Sequence, residues 1–244
     1  MAKRNNFEGA IRAYEDAIRL EPGNIEAYYS RGFAKYEVKD YEGAIEDLTY
    51  LEDFKGKIAK DNFKYIFNTR GNANYFLGNN EAALKDHNAA ISVDPKFTAA
   101  YGNRGNVKML LGDTPGATAD YSFAISIKPG DFAAYNNRGV AKSDLKDYLG
   151  AMTGINKAIR YNKDYEDAYN NRGLVKLRIK DYEGAIRDLD KAIALADNFT
   201  FAYNNRGDAK HQLNETAGAC EDWAKAIELG SEEAKVSWEK YCKR

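Results

Sequence analysis

The chain has 244 residues, and its 36 basic and 37 acidic side chains leave a formal net charge of -1. Charges of both signs are mixed throughout, which provides no electrostatic footprint for nucleic acid or anionic lipid. No apolar run approaches the roughly 20 residues that span a bilayer, and Met1-Ala2-Lys3-Arg4 lacks the apolar segment of a signal peptide.

Taken in order, the chain opens on Phe7-Glu8-Gly9-Ala10-Ile11, which matches Tyr41-Glu42-Gly43-Ala44-Ile45 one period later. Residues from about Asn6 to Leu20 therefore read as the second helix of a hairpin whose first helix is absent. Pro22 stands ten residues before Gly32, as Pro95 stands before Gly105 and Pro129 before Gly139, ending a helix that proline cannot continue. A lone amphipathic helix leaves Ile11, Tyr14 and Ile18 partly uncovered, which points to a chain that naturally starts earlier.

A hexapeptide then recurs. Ala27-Tyr28-Tyr29-Ser30-Arg31-Gly32 is followed by the worn copy Ile66-Phe67-Asn68-Thr69-Arg70-Gly71. Further copies end in Arg104-Gly105, Arg138-Gly139, Arg172-Gly173 and Arg206-Gly207. From Arg70 to Arg206 the arginines are 34 residues apart, the period of stacked helical hairpins, while Arg31 to Arg70 is 39. In each repeat the hexapeptide lies on a first helix, and a turn such as Asp147-Tyr148 leads into a second. Ala44, Ala83, Ala117, Ala151, Ala185 and Ala219 keep one register on the second helices, where small residues opposite the glycine permit close approach. Thr114 is placed to cap the helix that Pro115 begins. The five extra residues between Thr49 and Asn62 lengthen either that repeat's second helix or its loop, and Phe54, Ile58 and Phe63 there leave room for docking.

An aromatic, a glycine and two alanines at this spacing resemble the tetratricopeptide repeat family, over nearly the whole chain. Arginine before the glycine and lysine after it resemble the family's bacterial variants. The resemblance implies an all-α fold, a right-handed α-solenoid of antiparallel helix pairs. The chain divides into a half repeat at 6–24 and repeats at 25–63 (with the insertion), 64–97, 98–131, 132–165, 166–199 and 200–230. A capping helix at 231–244 closes it.

Fifteen residues after each glycine stands an acid, Asp47, Asp86, Asp120, Asp188 or Asp222, with Gly154 the exception. A buried arginine needs a partner, so an Arg-Asp pair is expected within each repeat, with Arg138 turning to another acceptor. Lys35, Lys108, Lys142, Lys176 and Lys210 read as structural.

The family's concave groove binds peptides or protein segments, and the resemblance implies a non-enzymatic scaffold of that kind. The groove columns carry Asn103, Asn137, Asn171 and Asn205, and beside them Asn68, Asn136, Asn170 and Asn204. An amide both donates and accepts, so such a row suits a passing peptide backbone. It is similar to the asparagine ladder of some members of the family, the alternative being asparagines that solvate the face or bond neighbouring helices. Tyr29, Phe33, Tyr36, Tyr65, Tyr75 and Phe76 are candidate anchors, the alternative being ordinary packing. Farther along, Asp144, Asp167 and Asp208 outweigh Arg178, which favours a neutral or basic segment. The columns lack the lysines and arginines with which the family's co-chaperones grip a carboxylate.

No catalytic constellation, cofactor motif or metal cluster is readable. His87 falls in a core slot and His211 stands alone. Cys220 and Cys242 reach similar heights on a helix pair that turns at Gly230, so they form either a disulfide, with an exported or periplasmic chain, or two reduced thiols, with a cytoplasmic one. Two further functional readings stay open: a self-assembling module that dimerises through the bare half repeat, and a regulatory domain of a larger protein.

Overall fold

The turn inside each helix pair rests on two residues. One takes the left-handed backbone conformation: Lys39, Lys146, Lys180 and Asn214 at φ of 69°, 63°, 65° and 64°, Gly78 and Gly112 at 77° and 79°. In four repeats an aspartate follows and caps the second helix. Asp40, Asp113, Asp147 and Asp181 accept from the backbone N–H groups of Gly43, Gly116, Gly150 and Gly184 at 2.9 to 3.0 Å. The cap before Pro115 is thus Asp113, and Thr114 is already the first residue of the helix.

The computed structural model describes residues 2–243, which form two units parting between Ile127 and Lys128. The first contains α1 (Ala2–Leu20), α2 (Ile25–Glu37), α3 (Tyr41–Tyr50), α4 (Phe63–Phe76), α5 (Asn80–Val93), α6 (Thr98–Leu110) and α7 (Thr114–Ile127). The second contains α8 (Phe132–Asp144), α9 (Tyr148–Tyr161), α10 (Glu166–Arg178), α11 (Tyr182–Leu195), α12 (Thr200–Gln212), α13 (Thr216–Glu228) and α14 (Glu232–Tyr241). Within each unit, consecutive helices pair and the pairs stack. Among the described residues there is no strand, and no helix is long and apolar enough to cross a membrane.

The pairs close around a glycine on the first helix and a large side chain sixteen residues later on the second. A Cβ on Gly105 would lie 2.6 Å from the Tyr121 ring, and one on Gly207 2.7 Å from Trp223. Leu48, His87, Ile155 and Leu189 fill the same place in the other repeats. The alanines do not lie squarely opposite the glycine, as the spacing suggested. They are fully buried beside it and bring the second helix's backbone close, with Ala151 O 3.1 Å from where a Gly139 Cβ would be. Close packing of this kind leaves no room for one added methyl.

The insertion lengthens the loop, not the helix. α3 stops after 10 residues where α5 and α9 have 14, and the chain continues through two 3-10 turns, Leu51–Phe54 and Lys60–Asn62. Leu51 is fully buried and Ile58 packs against the core of Leu48, Ile66 and Phe67, so the loop is anchored at two points.

The half-buried arginines meet their aspartates with two hydrogen bonds each. Arg31, Arg70, Arg104, Arg172 and Arg206 donate from Nε and Nη2 to Asp47, Asp86, Asp120, Asp188 and Asp222, at 2.5 to 2.9 Å. The lysines point at the same carboxylates: Lys35, Lys108, Lys176 and Lys210 lie 2.8 to 3.2 Å from them. Where the second repeat lacks that lysine, Asn74 donates to Asp86 at 3.1 Å. Four of these arginines, Arg70, Arg104, Arg172 and Arg206, also cross to the preceding repeat. Arg104 Nη1 reaches Asn88, Arg172 Nη1 reaches Asn156, both at 2.7 Å, and Arg70 Nη1 reaches Thr49 and Glu52 of the insertion. In the fourth repeat Gly154 replaces the aspartate because α8 and α9 touch there; a Cβ would lie 3.1 Å from Tyr135 O. Lys142 turns instead to Asp147 at 2.9 Å, and Arg138 lies 5.4 Å over the Tyr135 ring, as its counterparts lie over theirs.

At the end of the second unit, α14 packs Ala234 and Trp238 against Trp223 and Ala226. A disulfide joins Cys220 to Cys242, with Cα atoms 5.7 Å apart, and the 22-residue separation makes it worth about 3 kcal/mol by loop entropy. At the other end, α1 lies against α2, and Ala10 and Tyr14 are half-exposed where their equivalents Ala44 and Leu48 are fully buried.

Removing one aspartate strands two cations. Asp188→Ala should therefore lower the free energy of unfolding by about 3 kcal/mol, against less than about 0.5 kcal/mol for the exposed Asp164→Ala, in urea titrations at pH 7. Equal midpoints for the two variants would show that the ion pairs do not hold the helix pairs together.

Candidate functional site

The two asparagine columns are not equivalent. Asn136, Asn170 and Asn204 are buried, at 3, 7 and 4% exposure, while Asn103, Asn137, Asn171 and Asn205 are half-buried. The columns bond each other across repeats: Asn103 Nδ2 donates to Asn68 Oδ1 at 3.0 Å, Asn171 to Asn136 at 3.1 Å and Asn205 to Asn170 at 2.9 Å. Three residues read as part of an open track, Asn136, Asn170 and Asn204, thus lie beneath it. Their position three before the glycine turns them toward the neighbouring first helix. The series stops at Asn204, whose buried Oδ1 has no hydrogen-bond partner.

In the first unit the predicted aromatics come together in two groups. Tyr29 and Phe33 meet on α2, with ring centroids 4.8 Å apart. Phe76, at the end of α4, stacks on Tyr41 at 5.0 Å and is flanked by Tyr36 at 6.4 Å and Tyr75 at 5.5 Å. Tyr29, Phe33, Tyr36 and Tyr75 are half-buried, whereas Phe76 remains 55% exposed. Tyr36, Tyr75 and Phe76 line a cleft of about 120 Å³ together with Asn72, His87, Asn103 and Asn106. A wider cleft of about 320 Å³ lies between Tyr29 and the insertion residues Lys57, Ile58 and Ala59. Phe7, Ala10 and Tyr14 of α1 with Phe33 of α2 line a third, of about 490 Å³.

One relation was missed in the sequence although its signal was present. The large residue opposite each glycine also faces the residue just after that glycine, fifteen positions earlier. Tyr121 Oη donates to Asn106 Oδ1 at 2.8 Å, and Trp223 Nε1 donates to Asp208 Oδ1 at 3.0 Å. The same spacing pairs His87 with Asn72, whereas Phe33 with Leu48, Val140 with Ile155 and Leu174 with Leu189 are apolar throughout. Polar matches polar in three repeats, and apolar matches apolar in three.

In the second unit a cleft of about 590 Å³ lies among α10, α12 and α14, with Leu177, Asp208, Trp223, Glu233 and Tyr241 on its walls. Burial, with Glu233 adding to it, holds the Asp208 carboxyl above the usual carboxylate range, against the Trp223 N–H. Arg178, the main cation expected on this face, is held by Ser143 and Asp144 at 2.7 and 2.9 Å. His211 packs between Trp223 and Tyr241. No group of three or more His, Cys, Asp or Glu side chains among the described residues is placed to hold a metal ion.

A family model described as TPR repeat matches residues 2–39, and one described as Tetratricopeptide repeat matches residues 166–199. The serine/threonine-protein phosphatase 5 of Mus musculus is 32% identical over 93 residues, covering 38% of this chain and 18% of that protein. The chain thus spans less than a fifth of the curated relative's length. Among solved structures, a tetratricopeptide repeat protein from Parabacteroides merdae ATCC 43184 is similar with a TM-score of 0.79, at 19% identity over 98% of this chain and 93% of that one. YrrB, described as a TPR protein with an unusual peptide-binding site, is similar with a TM-score of 0.54, at 16% identity over 79% and 96%. These structural likenesses are of fold.

His87 is fully buried, and burial, with Arg104 adding to it, lowers its pKa to about 4. In the unfolded chain the imidazole titrates near 6.5, so between these values the folded state binds fewer protons. The stability that His87 permits is complete above about pH 6.5 and falls as the pH drops toward 4. His87→Leu, which places at Gly71 the side chain that Gly32 and Gly173 already accommodate, removes this dependence. The stability difference between His87→Leu and the native chain should shift by about 2 kcal/mol in favour of the variant between pH 7 and pH 5. A difference that does not change with pH in chemical denaturation would show that His87 is not held neutral.

Proposed function

This chain is a tetratricopeptide-repeat protein, and on that premise we propose that it is a non-enzymatic scaffold whose first-helix faces bind an extended peptide or protein segment. The observation that carries the proposal is Phe76, a large ring left 55% exposed yet fixed by Tyr41, Tyr36 and Tyr75 beside a small cleft. Rigid, exposed aromatics of this kind contribute little to folding and supply most of the free energy at protein interfaces. Asn103, Asn137, Asn171 and Asn205 are the residues that bond the segment's backbone, Asn103, Asn171 and Asn205 being held in orientation by Asn68, Asn136 and Asn170 behind them. The peptide-binding site in the description of YrrB supports the same reading.

The segment is neutral or basic. Lys35, Lys108, Lys176 and Lys210, three residues after their glycines, are committed to buried aspartates, and Arg178 to Asp144. A carboxylate would therefore find no uncommitted cation among them. The arginine before each glycine marks a bacterial-type variant of the repeat, and the same face serves equally within a longer regulatory protein. A second reading has the α1–α2 cleft as its observation: a second copy of the chain covers Phe7, Ala10 and Tyr14 there.

Phe76→Ala removes a mostly exposed ring, so the fold should be kept. Against a broad peptide library the variant should bind the peptides selected by the native chain at least about tenfold more weakly, the loss expected of one interface anchor. Equal binding would remove this face as the site. A concentration-dependent dimer in sedimentation equilibrium, abolished by Phe7→Glu, would favour self-assembly instead.

A further inference from the structure

Among the described residues, His87 alone of the large side chains facing a repeat glycine has polar atoms without a hydrogen-bond partner. Tyr121 and Trp223 occupy the same place in their repeats, and each gives its polar hydrogen to the residue that follows its glycine. Asn72 is that residue for His87, but its amide is engaged by Tyr36. Both His87 ring nitrogens are buried without a hydrogen-bond partner. The ring closes the floor of the cleft rimmed by Tyr36, Tyr75 and Phe76, and a buried polar group left unsatisfied is costly enough to call for an explanation.

We infer that this cleft is a specificity pocket for one uncharged primary-amide side chain, a glutamine or asparagine of the bound segment, read by His87. The inference rests on the proposed binding of a segment across this face and names the residue it is selected by. Neutral imidazole offers one N–H donor and one nitrogen acceptor. A carboxylate accepts only, and an ammonium group donates only and would be repelled by the charge of Arg104 that already acts on His87. A primary amide supplies donor and acceptor a short distance apart. The cleft, at about 120 Å³, takes a single side chain, and its other polar walls, Asn72 and Asn103, are amides as well. A serine hydroxyl has the right chemistry but not the reach from a backbone lying outside the aromatic rim. His87 is itself fully buried, so contact with the ring requires a side-chain rearrangement at the cleft. The corresponding places facing Leu48, Ile155 and Leu189 are apolar and offer no equivalent reading.

The pocket is tested without knowing the segment. Histidine labelled with nitrogen-15 reports two imidazoles in this chain, His87 and His211, and His87→Leu assigns them. Titration with N-acetylglutamine methylamide should move the His87 signals saturably and leave those of His211 in place, whereas N-acetylnorleucine methylamide should move neither. No response of His87 to the amide, or the same response to both compounds, overturns the proposal and leaves an interior reached by water alone. In the peptide library, native protein should prefer glutamine or asparagine at one position by about tenfold over leucine, and His87→Leu should lose that preference while still binding. Peptides that bind without the preference overturn the pocket and leave the binding face standing. A glutamine amide that binds where no peptide does overturns the segment reading and leaves the pocket.

Discussion

In four of the six repeats one carboxylate is shared by two cations, an arginine and a lysine. The aspartate fifteen residues after the glycine is almost wholly buried, and a charge there is tolerable only because arginine grips it with two hydrogen bonds while lysine approaches from the other side. The same arginine reaches the preceding repeat through its third nitrogen and lies over the aromatic ring three residues before it. One side chain thus ties a first helix to its own second helix and to the one before. The arrangement fixes helix register more than it adds net stability, since desolvating three charges consumes much of what their attraction supplies. Substitutions in the series show the constraint at work. Without the lysine, an asparagine donates to the aspartate; without the aspartate, the lysine finds another carboxylate and a glycine lets the helices touch.

Much of this architecture was legible because a repeat displays its constraints several times over. A spacing of 34 residues and an acid fifteen positions after the glycine point to contacts across a helix pair. The large residue sixteen positions on, which the glycine makes room for, was masked by the alanines read in its place. The arginine–aspartate pairing followed from charge balance alone. The lysine's share in it did not, because its side chain is long enough to reach either solvent or the acid, and only the packing of the second helix decides. The left-handed turn residues were hidden for another reason: lysine stands at three of them, and nothing in lysine signals that conformation.

The candidate site was legible in outline and less so in depth. The exposed ring of Phe76 and the cluster around it could be placed from helical spacing, and so could the half-buried asparagines. That Asn136, Asn170 and Asn204 lie beneath the surface could not, since one position along a helix separates a residue facing a groove from one facing a neighbouring helix. The depth matters physically. Asn68, Asn136 and Asn170 are occupied in aligning Asn103, Asn171 and Asn205, which makes those amides rigid before anything binds. The insertion after α3 shows a related limit: length alone did not reveal that Leu51 and Ile58 pin it to the core.

The matched pairs fifteen residues apart bear on how such a chain avoids folding wrongly. Repeats that look alike invite a helix to dock against the wrong neighbour, and a stack held only by alanine and leucine would register such an error weakly. Here the repeats differ at the closest contact. A helix bearing Trp223 in place of Ile155 would bury an indole N–H against Val140, and one bearing Tyr121 in place of Leu189 would bury a hydroxyl against Leu174. Each mistaken pairing strands a polar atom that its proper partner satisfies, at about 1 to 3 kcal/mol. The bonded pairs Tyr121–Asn106 and Trp223–Asp208 thus set their two repeats apart from those whose matching contact is apolar, and a helix docked out of place at either would incur that cost.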